Sequence, residues 1–220
     1  MVSLPIVLAS NSPRRRELLG WTGWEFTVSP MDIDESRRAG EAPGPYVLRL
    51  ARGKAAAAAR KYPRALIIGS DTTVCDGDEL LGKPAGPQEA VQMLRRLRGR
   101  VHQVYTALAF ISRGGKPVTE LCVSQVPMRD FTDEEIEAYV ARGEPLDKAG
   151  AYGIQDRQFH PVDVFAGCYA SVMGMPLCHL ARVSRRLGMT PPNDVALVCQ
   201  TTLSYDCPIH RAVANGENVG

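Results

Sequence analysis

The sequence contains no long hydrophobic run, few aromatic residues and almost no excess of either charge. No apolar stretch approaches the roughly 20 residues needed to span a bilayer, so we expect no membrane segment. Aromatic residues account for 6% of the 220 residues, and the formal net charge at pH 7 is +2. Because long polyanions are bound by strongly basic surfaces, this small net charge does not favour a nucleic-acid partner.

The sequence also lacks a dense cysteine framework and a secretory signal. Its six cysteines are scattered. The basic residues near the N-terminus follow the first apolar stretch, whereas in a signal peptide they precede it. We therefore expect reduced thiols and a cytoplasmic protein. Cys199, Cys207 and His210 do not match the spacing of a standard zinc motif, and we interpret their proximity in the sequence as coincidence.

What is present is an alternation of strand and helix patterns that is typical of an α/β protein. The content of 45% hydrophobic and 23% charged residues is that of an ordinary globular chain. An antiparallel strand pair near the middle of the chain predicts a mixed sheet. We predict strands over 5–9, 25–29, 65–69, 102–112 and 118–129, a hairpin over 73–82, and helices over 13–19, 46–61, 87–97, 132–142 and 177–187.

The first strand leads directly into a hydroxyl-rich turn and a helix start that includes Ser10, Arg14 and Arg15. Ser12 is a good N-cap, and Pro13 suits the first helical position. A helix N-terminus presents unpaired N–H groups and a positive dipole end, which together bind phosphate. Two arginines in the first turn are unfavourable next to the positive end of the dipole, and a nearby anion would offset this cost. An ordinary capped surface helix with solvated arginines explains the segment equally well.

Two acidic groups follow predicted strands. Asp71 comes just after the strand over 65–69, while Asp32, Asp34 and Glu35 follow the strand over 25–29. Carboxylates at strand ends can bind a divalent cation or accept a proton from water. Mg²⁺ needs only one or two carboxylates besides substrate phosphates, so Glu35 and Asp71 would suffice. Taken singly, each of these acids is more commonly a turn residue.

Several cationic and amide side chains are candidates for binding a phosphate-bearing ligand. Lys54 lies in an alanine-rich helix, and Lys83 ends a Gly-x-x-x-x-Gly-Lys stretch. We reject a Walker-type phosphate loop, because Pro84 stands where a Ser or Thr is required and no helix follows directly. A glycine-punctuated loop with Lys148 and Gln155 suits close approach to a ligand. A solvated helix face and a plain turn are the alternatives.

Six segments of the sequence together resemble the motifs of the Maf family of nucleotide pyrophosphatases. They occur in the family's order and spacing from about residue 4 to residue 188, and six together are highly specific although any one would be weak. The segments are Leu8–Leu19 (LASNSPRRRELL), Asp32–Ser36 (DIDES), Leu50–Ala55 (LARGKA), Ser70–Val74 (SDTTV), Leu81–Pro84 (LGKP) and Asp147–Gln155 (DKAGAYGIQ).

The resemblance implies an α/β fold with an elongated mixed β-sheet flanked by helices and two lobes around a cleft, like that of the inosine triphosphate pyrophosphatases. It also implies cleavage of a nucleoside triphosphate to the monophosphate and pyrophosphate, a divalent cation such as Mg²⁺ or Mn²⁺, and a homodimer. By motif match, Asp71 is the catalytic proton acceptor and, with Glu35, a metal ligand. The substrate-binding residues are Ser10, Arg14, Arg15, Lys54, Thr72, Lys83, Lys148 and Gln155.

The family's specificity positions fall on Arg14, Thr72 and Gln155, and this set resembles the branch that acts on dTTP and UTP. The Gln155 amide both donates and accepts, so it can pair with the O4/N3–H edge that uracil and thymine share. A pyrophosphatase with another base preference, such as methylated GTP, is an alternative. A non-catalytic nucleotide or nucleic-acid binding regulator of cell division is another, and the arginine-rich segment 95–100 is its best support.

The sequence departs from the family pattern in three places. Ser70 replaces the usual alanine, Asp156 replaces the usual glycine, and Gly167–Gly174 (GCYASVMG) is a loose version of the family's segment. The pattern ends near Gly188. These features predict a catalytic domain over 1–188 and a C-terminal extension over 189–220. The extension begins with two prolines and has no clear periodicity, so we expect it to be dispensable for solubility and activity.

Overall fold

Six strands pair into one mixed sheet in the computed structural model, which describes residues 4–220. The strands are β1 (Ile6–Leu8), β2 (Thr27–Val28), β3 (Leu66–Asp76), β4 (Glu79–Leu81), β5 (Val101–Ser112) and β6 (Val118–Pro127). Their order is β2-β1-β3-β5-β6, with β4 paired to β3. Strand β1 is parallel to β2 and β3, whereas the pairs β3–β4, β3–β5 and β5–β6 are antiparallel. The predicted mixed sheet is confirmed.

Helices cover both faces of this sheet. They are α1 (Pro13–Gly20), α2 (Pro43–Lys61), α3 (Pro87–Leu97), α4 (Asp133–Ala141), α5 (Tyr169–Val172), α6 (Leu177–Arg186), α7 (Val195–Leu203) and α8 (His210–Ala214). Short 3-10 turns occupy Glu144–Asp147 and Ala149–Ala151. Within residues 4–220, none of the helices combines the length and apolar character that crossing a bilayer requires.

Strand β3 connects two lobes, one built on β1 and β2 and the other built on β4. Its first residues, Leu66 to Ile68, pair with β1, and its last residues, Val74 to Asp76, pair with β4. Along the other edge, β3 pairs continuously with β5 from Leu66 to Cys75. Residues 69–73 therefore lie in a gap between β1 and β4, where one edge of β3 has no strand partner among the described residues.

The alternation of side chains along β3 separates two hydrophobic cores. Ile67 and its neighbours on β1 and β5 pack against an alanine-rich face of α2, whereas Leu66, Ile68 and Val74 face the larger core on the other side. Gly69 allows α2 to lie unusually close, since a Cβ there would be 2.4 Å from the carbonyl oxygen of Ala51. This close packing brings α2 over the centre of β3.

Local sequence signals predict several element boundaries correctly. The Ser12 hydroxyl accepts a hydrogen bond from the Arg15 amide and caps α1, and α3 spans Pro87–Leu97 as predicted. Thr132 and Glu135 form the predicted capping box of α4. Each of these signals depends on residues within one or two turns of each other, which explains why the sequence alone predicts it.

Two predicted boundaries are wrong, and two helices follow the one that was predicted to be the last. Strand β3 does not end near Gly69 but continues through Asp71 to Asp76, because ten residue pairs with β5 hold it in the sheet. Helix α2 begins at Pro43 and not at Tyr46. Proline is tolerated in the first turn of a helix because an N–H group there would have no partner within the helix. The helix over 177–187 is not the last one, because α7 and α8 follow.

The C-terminal extension packs on α6 and is not a loose tail. The buried Arg182 of α6 donates to the carbonyl oxygens of Val213 and Glu217, and it also pairs with the carboxylate of Glu120 on β6. His179 of α6 bonds to the Val219 carbonyl oxygen at 2.9 Å. The boundary at Gly188 stays a prediction, but deletion of the extension would expose polar groups that are now buried and bonded.

We expect truncation after Gly188 to lower the melting temperature by on the order of 10 °C, because hydrogen bonds to a buried charge are worth roughly 1.5–3 kcal/mol each. Thermal unfolding of full-length and truncated protein measures this shift. Arg182→Met should also destabilise the full-length protein, whereas Arg186→Met, on the exposed part of α6, should not. Equal melting temperatures for the full-length and truncated chains would contradict this assignment.

Candidate active site

A cleft of about 900 Å³ opens at the gap along β3, between the two lobes. One wall comes from the turn before α1, the loop that precedes α2, and α2 itself. The opposite wall comes from the segment after β4 and the loop over 147–155. All ten residues that the sequence predicts for the site line this cleft. They are Ser10, Arg14, Arg15, Glu35, Lys54, Asp71, Thr72, Lys83, Lys148 and Gln155.

The centre of the cleft holds a lysine between two carboxylates. The Lys54 Nζ lies 2.6 Å from Asp71 Oδ1 and 2.7 Å from Glu35 Oε1. Lys54 on α2 can reach Asp71 because the odd-numbered residues of β3 face that helix and because Gly69 lets the helix come close. Glu35 lies in the loop before α2, where its own carbonyl oxygen accepts a bond from the Tyr46 hydroxyl.

Asp71 is a buried acid on whose pKa burial and the neighbouring cations act in opposite directions. Its side chain is 9% exposed, whereas that of Glu35 is 55% exposed. Burial raises the pKa of Asp71 above its ordinary value, and the charges of Lys54 and Arg15 oppose this rise. Burial thus makes Asp71 a stronger proton acceptor than an exposed aspartate, while the neighbouring cations favour its ionised form.

On the opposite face of β3, Arg15 is held by a network of neutral oxygens. Its Nε donates to the Gly174 carbonyl oxygen at 3.1 Å, and its two terminal nitrogens donate to Ser10 Oγ at 3.3 Å and to Thr72 Oγ1 at 3.0 Å. Burial lowers the pKa of Arg15, and the negative charge of Asp71 opposes this effect. Among the described residues, Arg15 makes no salt bridge, so its charge is available to an anionic ligand.

The position of Arg15 depends on contacts between residues that lie far apart in the chain. Ser70 also donates to the Gly174 carbonyl oxygen, at 2.9 Å, which accounts for a serine where the family has alanine. The Thr106 hydroxyl lies 3.0 Å from that of Thr72 and 2.8 Å from the Ser171 carbonyl oxygen. Gly174 has φ +113°, a conformation that favours glycine. Such distant contacts leave no local sequence signal.

Three of the predicted residues lie on the second wall, and they differ in burial and in how their polar groups are bonded. Lys148 is buried, and its Nζ bonds to Asp147 Oδ1 at 2.7 Å and to the Glu144 carbonyl oxygen. Lys83 is exposed and makes no ion pair with any residue in the range 4–220. Gln155 lines both the cleft and an adjoining pocket of about 270 Å³. Lys83 and Gln155 are therefore the freer of the three to contact a ligand.

The arginine-rich segment 95–100 does not form a free basic surface. Arg95 and Arg98 both pair with Asp133, while Arg96 and Arg100 both pair with Asp76. These ion pairs join α3 to β3 and to α4. Because its charges are already paired, the segment offers little support for binding a nucleic acid.

The fold and the cleft define an α/β protein whose cleft brings cationic side chains next to paired carboxylates. The chain belongs to the Maf-like protein family, whose profile matches residues 5–187. Similar relatives are named dTTP/UTP pyrophosphatase. The one from Desulforamulus reducens is 46% identical over 187 residues, covering 84% of this chain and 97% of the relative. The one from Shewanella denitrificans is 48% identical, covering 78% and 90%.

Two solved structures show a remote likeness to this chain. The Ham1 protein of Staphylococcus aureus is 16% identical, with a TM-score of 0.43 over 57% of this chain and 72% of that one. A nucleoside-triphosphatase / dITP/XTP pyrophosphatase from Mycobacterium abscessus is 12% identical, with a TM-score of 0.42 over 84% of this chain and 97% of that one.

Behind the second wall, a buried histidine supports the loop over 147–155. The His102 Nε2 lies 2.8 Å from the hydroxyl of Tyr152, which lines the cleft. Burial lowers the pKa of His102 from 6.5 to about 4. Below pH 6.5 the unfolded chain therefore binds a proton that the folded protein does not bind until the pH approaches 4, and stability falls as the pH decreases through this window.

We expect the free energy of unfolding to fall by roughly 3 kcal/mol between about pH 6.5 and pH 4 because of His102. Urea unfolding at several pH values measures this. His102→Gln should flatten the pH dependence, since glutamine does not titrate. His160→Asn, a change of an exposed histidine, should keep the slope. A slope that is unchanged in His102→Gln would assign the effect to other groups.

Proposed function

We propose that this chain is a nucleoside triphosphate pyrophosphatase that converts dTTP and UTP with water to the nucleoside monophosphate and pyrophosphate. The observation that carries the proposal is the carboxylate–lysine–carboxylate centre of Asp71, Lys54 and Glu35, with Arg15 on the neighbouring face of β3. The names of the relatives that match most of the chain support the same activity.

Cationic residues on both walls account for binding of the triphosphate. The N-terminus of α1 carries the positive end of the helix dipole, and Arg15 in its first turn is held in a fixed orientation. Lys54 and the exposed Lys83 approach from the two walls. As charge develops on the α-phosphate and on the leaving pyrophosphate, these cations stabilise it, and Arg15 and Lys54 do so without reorganising because they are already held in place.

The carboxylates of Glu35 and Asp71 fit a divalent cation such as Mg²⁺ or Mn²⁺. Both are hard oxygen donors, and both already converge on one cation, the Lys54 ammonium. Glu35 is open to the cleft, so substrate phosphates can complete the coordination. A bound cation would neutralise phosphate charge. Lys54 would remain beside the pair, where it limits their mutual repulsion.

Asp71 is the residue best placed to accept the proton of the attacking water. It is the most buried acid in the cleft, and its carboxylate faces the space between the walls. Its second oxygen has no hydrogen-bond partner within the described residues, while Oδ1 is held by Lys54. This arrangement fixes the carboxylate in orientation and leaves one oxygen for a water molecule.

For the base, we assign selection to Gln155 and give Thr72 a different part. The Thr72 hydroxyl is bonded to Arg15 and Thr106, so it positions the arginine, and its small size leaves room for a ring. The side chain of Gln155 is partly exposed to the cleft and can bond the O4/N3–H edge of uracil and thymine. On the family resemblance, we also propose a cytoplasmic homodimer.

We expect Asp71→Asn to lower pyrophosphate release by roughly two to four orders of magnitude, because the substitution keeps the shape but removes the base. Release from dTTP with Mg²⁺ is measured alongside the melting temperature. Asp163→Asn, a change of an exposed acid, serves as the control and should keep full activity. A folded Asp71→Asn protein with wild-type turnover would remove Asp71 from the mechanism.

We expect Gln155→Leu to erode the preference for dTTP and UTP, which should be about ten- to a hundredfold over CTP, ATP and GTP in the native protein. The loss should appear in kcat/KM across the nucleotides, because the apolar side chain cannot pair with the base. Gln158→Leu, three residues further along the chain and outside the cleft, is the matched control and should keep the preference.

Two results would redirect the proposal. Preferential hydrolysis of a purine nucleotide, such as a methylated GTP, would reject the pyrimidine assignment but keep the pyrophosphatase activity. Absence of pyrophosphate release from every nucleotide tested, with saturable nucleotide or nucleic-acid binding, would favour the non-catalytic regulator. The ion-paired state of segment 95–100 gives this second outcome little support.

A further inference from the structure

Three potential metal ligands meet outside the cleft, at the junction of β6, α5 and α6. Cys122 lies on β6, Cys168 immediately precedes α5, and His179 lies in the first turn of α6. Their two sulfur atoms and one ring nitrogen all lie within 4.8 Å of one another, and all three residues are buried. Ligands of a tetrahedral zinc ion with Zn–S bonds of about 2.3 Å lie roughly 3.8 Å apart, so this spacing suits one ion.

The hydrogen bonding of His179 leaves one ring nitrogen for this cluster. Its Nε2 lies 2.9 Å from the Val219 carbonyl oxygen, which can only accept, so Nε2 carries the proton. Its Nδ1 is fully buried and has no hydrogen-bond partner within residues 4–220. Histidine ligands of metals commonly donate their second N–H to a backbone carbonyl in this way, which fixes the ring orientation and the tautomer.

A second unsatisfied group lies beside the cysteines. The Ser171 amide donates to the Cys168 carbonyl oxygen at 3.0 Å, which places Ser171 next to that cysteine, and its Oγ is buried without a hydrogen-bond partner in the described part of the chain. Buried polar atoms are nearly always bonded, and an exception points to an ion or water that occupies the space. Two such exceptions, His179 Nδ1 and Ser171 Oγ, lie around the same pair of thiols.

We propose that Cys122, Cys168 and His179 bind a structural metal ion, for which Zn²⁺ fits best. Two thiolates and one imidazole are a donor set that zinc prefers and that Mg²⁺ does not. Binding releases the two thiol protons to solvent, and the resulting thiolates balance the charge of the ion. The fourth position falls to Ser171 Oγ or to a water molecule that this hydroxyl binds.

The ion would connect the C-terminal extension to the cleft. Through Val219 it fixes the end of the extension on α6. Through Cys168 it fixes the start of a short segment that ends at Gly174, whose carbonyl oxygen accepts from Arg15 and from Ser70 in the cleft. The site is therefore a positioning site for Arg15, and it takes no direct part in the reaction.

The other cysteines provide matched controls. Cys199 lines a small neighbouring cavity of about 20 Å³ together with Cys178, Cys207 and His210, but it is not part of the three-ligand cluster. Cys75 is buried near the end of β3, in the part of the strand that pairs with β4 and not with β1. Cys75 is as buried as the proposed ligands and Cys199 is half-buried, and substitution of either removes a thiol without removing a proposed ligand.

The test is elemental analysis of the untagged full-length protein, purified under reducing conditions. We expect one zinc ion per chain in the wild-type protein, in Cys75→Ser and in Cys199→Ser. Cys122→Ser, Cys168→Ser and His179→Gln should each lose most of it. Asp71→Asn should retain its zinc, so the result does not depend on whether the proposed hydrolysis is correct. Zinc retained by all three ligand variants would overturn the assignment.

Cobalt substitution tests the site without relying on any variant. Wild-type protein stripped by a chelator and reconstituted with Co²⁺ should show thiolate-to-cobalt charge-transfer absorption, and stripping should lower the melting temperature by several degrees. Zinc-free protein that takes up no Co²⁺ while its thiols are reduced would contradict the proposal. Recovery of a Cys122–Cys168 disulfide by mass spectrometry under the same reducing conditions would also contradict it.

Discussion

The gap in strand pairing along one edge of β3 is the constraint on which the candidate site depends. Strand β5 holds the whole length of β3 in the sheet, so residues 69–73 keep an extended conformation although neither β1 nor β4 reaches them. Side chains in this gap alternate between the two faces. Asp71 therefore meets Lys54 on the α2 side, while Thr72 meets Arg15 on the other, and the cleft has access to both groups.

Burial sets the electrostatics of this arrangement. An ionised carboxylate as enclosed as Asp71 requires a compensating charge, which Lys54 provides at 2.6 Å and Arg15 provides from the opposite face. Arg15 in turn is bound only by neutral oxygens. The site thus holds cations in fixed positions without neutralising all of them, which suits a ligand that carries several negative charges.

The charged residues of the cleft are supported by a segment that packs behind them. The segment that contains Gly174 anchors Arg15, and it begins at Cys168, next to the junction of β6 and α6. The C-terminal extension covers the same junction through the bonds of His179 and Arg182. Residues beyond the family profile, which ends at 187, therefore contact elements that lead to the cleft.

The sequence by itself determined the local elements and the identities of the site residues. The capping of α1 and α4, the apolar face of α3 and the motif residues that line the cleft depend on short-range patterns. Only the tertiary structure decided that β3 continues past Asp71, that Thr72 positions Arg15, and that Cys122, Cys168 and His179 converge. These features depend on strand pairing and on contacts between residues far apart in the chain, and the free energy of such contacts leaves no periodic or local signal in the sequence.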